Sequence, residues 1–117
     1  MRSYSRAERV AGLIQQTLSE ILNRNVKDPR LEFTTITHVK VTRDLRIARV
    51  YFSTAGGEEE KVQAALQGFR SAAGFVKGAL AKRLELRYMP DLEFFYDESF
   101  DYGSRIDQLL KSIRSSG

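Results

Sequence analysis

The chain has 117 residues, 42% of them hydrophobic and 29% charged, with a net charge of +4, a composition ordinary for one soluble globular domain built on a single core. It contains no cysteine, which excludes disulfides, thiolate zinc sites and cysteine nucleophiles. No apolar run approaches the roughly 18–20 residues of a membrane span, and the modest positive excess permits a polyanionic partner without requiring one.

Met1 to Val10 lacks the apolar stretch of a secretory signal, so a cytoplasmic location is the expectation. Met1 to Tyr4 reads as a short basic arm. Ser5-Arg6-Ala7-Glu8 matches a capping box, in which the serine side chain accepts from an early amide and the glutamate reaches back to the cap. Val10, Leu13, Ile14, Leu18, Ile21 and Leu22 then recur at helical spacing and predict a helix from about Arg6 to Arg24. Asn25 to Leu31, containing Asp28-Pro29, reads as a connecting loop. From Thr34 to Thr54 the chain turns β-branched and aromatic. Thr35, Thr37, Val39 and Val41 alternate with Ile36, His38 and Lys40, and Ala48, Val50 and Phe52 alternate with Ile47, Arg49 and Tyr51. A tight turn near Arg43-Asp44-Leu45 makes this a hairpin, and Ala55-Gly56-Gly57 ends it.

Glu58-Glu59-Glu60 places carboxylates at the positive end of a second helix. Val62, Leu66, Phe69, Ala73, Val76, Leu80 and Leu84 follow at steps of three or four, in a phase that runs through Gly74. One unbroken helix from Glu58 to about Leu86 would span about 43 Å, against a diameter of about 35 Å for a compact chain of this size. The expectation is therefore a bend at Ala72-Ala73-Gly74, since glycine tolerates one. Met89-Pro90-Asp91 ends the helix and Leu92 to Tyr96 reads as a third strand, with Pro90 at a position strands permit. An acidic, aromatic loop follows from Asp97 to Gly103. Ser104 then caps a short helix bearing Ile106, Leu109, Leu110 and Ile113, ending in a frayed Ser115-Ser116-Gly117. The class is α+β, with helices on one face of a small sheet.

Arg70, Gly74, Lys77 and Ala81 fall at spacings of four, three and four, on a stripe away from the apolar one. A glycine between cations admits a phosphodiester backbone, and a fresh helix start at a bend offers amides to a phosphate. The same pattern also fits a solvated face in which Gly74 only permits the bend. Further basic residues cluster at Arg2, Arg6 and Arg9, at Arg43, Arg46 and Arg49 on the hairpin, and at Lys82, Arg83 and Arg87. Arg46 falls on the core-facing parity of its strand, so these cannot all share a surface. Tyr51, Phe95, Tyr96, Phe100 and Tyr102 either stack on bases or fill the core. His38, the single histidine, reads as an ordinary strand residue, because no second imidazole or thiolate completes a metal site. Asp97, Glu98 and Asp101 read as a solvated acidic loop rather than a magnesium site. Neither GxxxxGK[ST] nor GxGxxG occurs. No catalytic residue, cofactor or metal is expected.

Taken in order, the opening RAERV at Arg6 to Val10, TRDLRIARVYFS at Thr42 to Ser53, SAAGFVKGALAKRLELRYMPDLEFFYDES at Ser71 to Ser99 and SRIDQLL at Ser104 to Leu110 resemble the bacterial ribosome-binding factor A family. The likeness covers about Ser3 to Leu110. It implies a single KH-like domain of the second type over residues 1–117, in the order α-β-β-α-kink-α-β, with a basic arm at 1–4 and a helical tail at 104–117. Its three-stranded sheet would be packed by helices on one face. In that family an Ala-x-Gly bend, here Ala72, Ala73 and Gly74, stands where other KH domains carry a GxxG loop. The resemblance further implies a monomeric, non-enzymatic assembly factor. It would bind the immature small ribosomal subunit, assist 5′-end maturation and folding of its ribosomal RNA, matter most in the cold, and be displaced in part by a ribosome-associated GTPase. Recognition would rest on RNA shape and phosphates, with Arg6, Arg9, Arg70, Gly74, Lys77 and Lys82 as the candidate contacts. Two other classes stay open: a protein-interaction module docking through the acidic aromatic loop and final helix, and a small enzyme built around a concave site with a perturbed titrating group.

Overall fold

The computed structural model describes residues 5–99, so the basic arm, Arg2, Phe100, Asp101, Tyr102 and the helical tail lie outside the described residues. Helix α1 is Arg6–Arg24. The Ser5 hydroxyl accepts from the Glu8 amide at 3.2 Å and donates to the Glu8 carboxylate at 3.2 Å, so the box closes through one oxygen rather than through the cap's own amide. Ala7, Val10, Ala11, Ile14, Leu18 and Ile21 form its buried stripe. The loop that follows contains a 3₁₀ turn, Pro29–Leu31, started by Asp28, whose carboxylate accepts from the Arg30 amide. It drives Leu31 into the core.

Strands β1 (Thr34–Val41) and β2 (Ile47–Thr54) pair antiparallel across the expected turn. The simple alternation fails once. The register slips between Ile36 and His38, leaving Thr37 as an extra residue, so Ile36, Val39 and Val41 all reach the core despite their mixed parity. In β2, Ala48, Val50 and Phe52 are fully buried. Strand β3 (Asp91–Tyr96) lies parallel to β2, giving the order β1-β2-β3. A parallel neighbour needs a crossover, which helix α2 (Glu59–Leu84) provides.

Helix α2 is not interrupted at Ala72-Ala73-Gly74 and runs as one continuous helix of 26 residues. At 1.5 Å per residue it is about 39 Å long. A spherical diameter is the wrong yardstick, because the helix finds partners along its whole length. Gly68 lies against Leu31, Phe69 packs between Phe52 and Phe94 with ring centroids 4.8 and 4.7 Å away, Lys77 pairs with Asp91, and Arg83 pairs with Glu20 on α1. The buried positions Val62, Ala65, Phe69, Val76 and Leu80 hold one phase across the glycine. Gly74 itself is exposed, and a Cβ there would meet nothing within 4 Å.

Both helices and the 3₁₀ turn contribute to one core against a single sheet face. Phe94 and Tyr96 point into it. The opposite face carries His38, Lys40, Arg49, Tyr51, Glu93 and Phe95.

Candidate nucleic-acid interface

Helix α2 lies beside β3, the outer strand of the sheet. Between them runs a shallow groove of about 390 Å³ lined by Arg70, Ala73, Leu92, Glu93, Phe94 and Phe95. Arg70 is exposed and has no ionic partner among the described residues. One turn along, open space surrounds Gly74. Lys77 is half-buried, its Nζ 2.5 Å from Asp91 Oδ1. The two cations of the expected stripe differ: Arg70 has no ionic partner among the described residues, and Lys77 is held by a strand carboxylate.

Asp91, next in sequence to Leu92 of the groove, lines a second hollow, a cavity of about 550 Å³, together with Arg6, Asp44, Arg46, Arg87 and Tyr88. The cavity forms because the parallel pairing sets the start of β3 against the hairpin turn, where the Asp91 amide donates to the Arg46 carbonyl at 2.8 Å. Asp44 fixes that turn. Its carboxylate accepts from the Thr42 hydroxyl at 2.6 Å and the Arg46 amide at 3.1 Å. Chiefly the hydroxyl, then the amide, hold its carboxyl below the usual carboxylate range. The Arg87 guanidinium sits 5.5 Å from the centre of the Tyr88 ring, which is 74% exposed. The cavity lining carries Arg6, Arg46 and Arg87 against Asp44 and Asp91, the groove lining carries Arg70 against Glu93, and Lys77 sits on Asp91. Each hollow has one exposed ring, Tyr88 or Phe95.

The six predicted contacts divide. Arg70 lines the groove, Gly74 faces open space, Lys77 is paired with Asp91, and Arg6 belongs to the cavity. Arg9 is exposed one turn further along α1. Lys82 follows Lys77 by five residues, which at 3.6 residues per turn puts it about 140° around the helix, away from the stripe. Arg46 does not face the core: it belongs to the turn, ahead of the strand that starts at Ile47, and its side chain is well exposed. Arg49 lies on the open sheet face 3.8 Å from Glu93. Arg83 is tied to Glu20 at 3.1 Å. The grouping of Arg6, Arg46 and Arg87 depends on β3 lying beside β2, and strand order leaves no mark in the local sequence. Asp97 is occupied, accepting from the hydroxyl of Thr37 on β1 and from that of Ser99 two residues further on. Among the described residues no group of three His, Asp or Glu side chains is placed to hold a metal, and no helix is long and apolar enough to cross a membrane.

The relatives of this chain carry a consistent name. A ribosome-binding factor A from Desulfatibacillum aliphaticivorans is 55% identical over 113 residues, 97% of this chain and 91% of that protein. The crystal structure of ribosome-binding factor A from Thermus thermophilus superposes with a TM-score of 0.67 at 29% identity, over 77% of this chain and 94% of that one. A homology model of Thermus thermophilus ribosome-binding factor A, as fitted into the cryo-electron-microscopy map of a 30S complex, gives a TM-score of 0.64 at 28% identity, covering 82% of this chain and 97% of that one. The ribosome-binding factor A family matches residues 6–110, and with that match over the same helix, hairpin, crossover helix and parallel strand, this chain belongs to the ribosome-binding factor A family.

Proposed function

We propose that this chain, one domain acting as a cytoplasmic monomer, binds the immature small ribosomal subunit and assists late folding and 5′-end maturation of its ribosomal RNA, most of all in the cold. The observation that carries the reading is the excess of cations over carboxylates at the Arg6–Arg46–Arg87 cavity, Lys77 and the Arg70 groove, read as one track for an RNA backbone, in a member of a ribosome-binding family. The relative seated on a 30S particle supports the choice of subunit. Cations along such a track hold phosphates and set register without reading sequence. Open space at Gly74 leaves the helix backbone approachable where a side chain would stand off the RNA.

The action is binding, not bond chemistry. A protein that prefers one arrangement of the RNA shifts the population toward it by its differential affinity alone. Cold slows escape from wrong RNA pairings, so the shift matters most there. A ribosome-associated GTPase that favours the mature arrangement would release it by the same linkage.

Co-sedimentation with small subunits, large subunits and joined ribosomes over a salt series tests the reading. Selective retention on small subunits, falling steeply with salt and lost on Arg70→Glu with Lys77→Glu, is the expected result. Equal retention on every particle would reduce it to general basic adhesion. Gly74→Leu is expected to weaken subunit binding more than folding.

A further inference from the structure

The open sheet face carries a row of rings, one from each strand. His38 pairs with Tyr51, and Tyr51 with Phe95, in the strand registers. The ring centroids are 6.1 and 5.5 Å apart, and Tyr51 and Phe95 are stacked with their planes 29° apart. Phe95 ends the row on the outer strand and is 40% exposed. It also lines the groove beneath Arg70. The ring that closes the stack is thus also a wall of the groove that Arg70 lines.

We propose that Phe95, backed by Tyr51 and His38, is a stacking platform for an unpaired RNA nucleotide whose phosphate is held by Arg70. This rests on the reading that the chain binds RNA along α2. Aromatic stacking on single-stranded bases is sequence-tolerant and strong, while bases inside a duplex have no free face to offer. Tyr51 fixes Phe95 from behind, so little side-chain freedom is lost on binding. The surroundings favour a polyanion over an apolar protein surface. The next cross-strand row holds Lys40, Arg49 and Glu93, and with Arg70 the cations there outnumber the single carboxylate. The platform adds an unpaired nucleotide to a protein that otherwise grips phosphates.

The test is fluorescence anisotropy of the purified chain with a labelled ten-nucleotide oligouridylate and with a blunt RNA duplex of equal length, over a salt series. Phe95→Leu keeps the apolar bulk and removes the ring. Oligouridylate affinity is expected to fall about fivefold or more, with the salt slope unchanged because no phosphate contact is lost, and duplex affinity is expected to hold. On the unaltered protein, the Phe95 and Tyr51 ring resonances should shift when oligouridylate is added, a readout that needs no variant to fold. Equal loss on duplex, or no loss with no ring shift, overturns the proposal. So does self-association abolished by Phe95→Leu with RNA binding untouched, which would make the face an interface between copies. Arg70→Glu separates the two readings. If it weakens both RNAs while Phe95→Leu weakens neither, the platform falls and the phosphate track stands. If the unaltered chain binds neither RNA nor subunits, both fall.

Discussion

A Cβ on Gly68 would stand 3.0 Å from Leu31 Cδ2 and 3.2 Å from Arg30 Cβ, whereas one on Gly74 or Gly78 would meet nothing within 4 Å. The three glycines share one helix and have opposite requirements. Gly74→Ala is expected to raise stability by about 1 kcal/mol, the ordinary helix preference for alanine. Gly68→Ala gains the same preference but must displace a buried leucine and the stem of Arg30, an overpacking cost of about 1–3 kcal/mol, so its melting temperature is expected to fall. Equal melting temperatures for the two variants would mean that Leu31 moves aside freely. Asp91 carries the second prediction at this scale. It neutralises Lys77 and faces the arginine cavity, while its backbone amide serves the strand. Asp91→Asn keeps the strand bond and frees the lysine. RNA affinity is expected to rise, and the log–log salt slope to steepen by about 0.7–0.9, one phosphate contact's worth. An unchanged slope would place Lys77 away from the RNA backbone.

Helix α2 stops at Glu85, which takes φ 50° and ψ 37°. Left-handed geometry costs a residue with a Cβ about 1–2 kcal/mol, and a glycine gives back part of that through the freer unfolded chain, about 0.4–1 kcal/mol. Glu85→Gly is therefore expected to raise stability by about 0.5 kcal/mol in a chemical denaturation curve, with an unchanged slope. Elements whose limits depend on neighbours in sequence were largely legible: the Ser5 cap, the stripe of α1 and the hairpin all follow from local spacing. Where a distant partner decides, local spacing is silent. Thr37 becomes a bulge, and Ile36 joins Val39 on the inner face, only because of how β1 meets β2. The unbroken α2 depends on partners from the 3₁₀ turn, β3 and α1, none adjacent to it in sequence at its middle. The same holds for the candidate site. The Arg70–Gly74–Lys77 stripe is visible as a spacing, but Asp91's grip on Lys77 and the meeting of Arg6, Arg46 and Arg87 are products of strand order.

Among the described residues, the carboxyls with shifted titration agree in sign. Asp97 is lowered chiefly by the Ser99 hydroxyl and then by that of Thr37, Asp28 by the Arg30 guanidinium, and Asp44 by the Thr42 hydroxyl. A carboxyl whose pKa is lower folded than unfolded contributes its full stabilisation above the unfolded value, near 3.9 for aspartate, and loses it as pH falls through the folded value. Melting temperature is thus expected to be flat from about pH 7 to 5 and to drop below about 4, with Asp97→Asn removing part of that drop. A decline already between about pH 7 and 5 would implicate a different group. The parallel pairing of β2 with β3 acts at this same scale. Strand β3 meets its partner only after all of α2 has been made, since the two strands are separated by the chain between Thr54 and Asp91. Loop closure of that length is slow compared with forming the adjacent hairpin. One wall of the groove and the floor of the arginine cavity therefore arrive last, as the chain is synthesised. A nascent chain short of Asp91 therefore carries Arg70 and Lys77 with neither the second wall of the groove nor the carboxylate that holds the lysine.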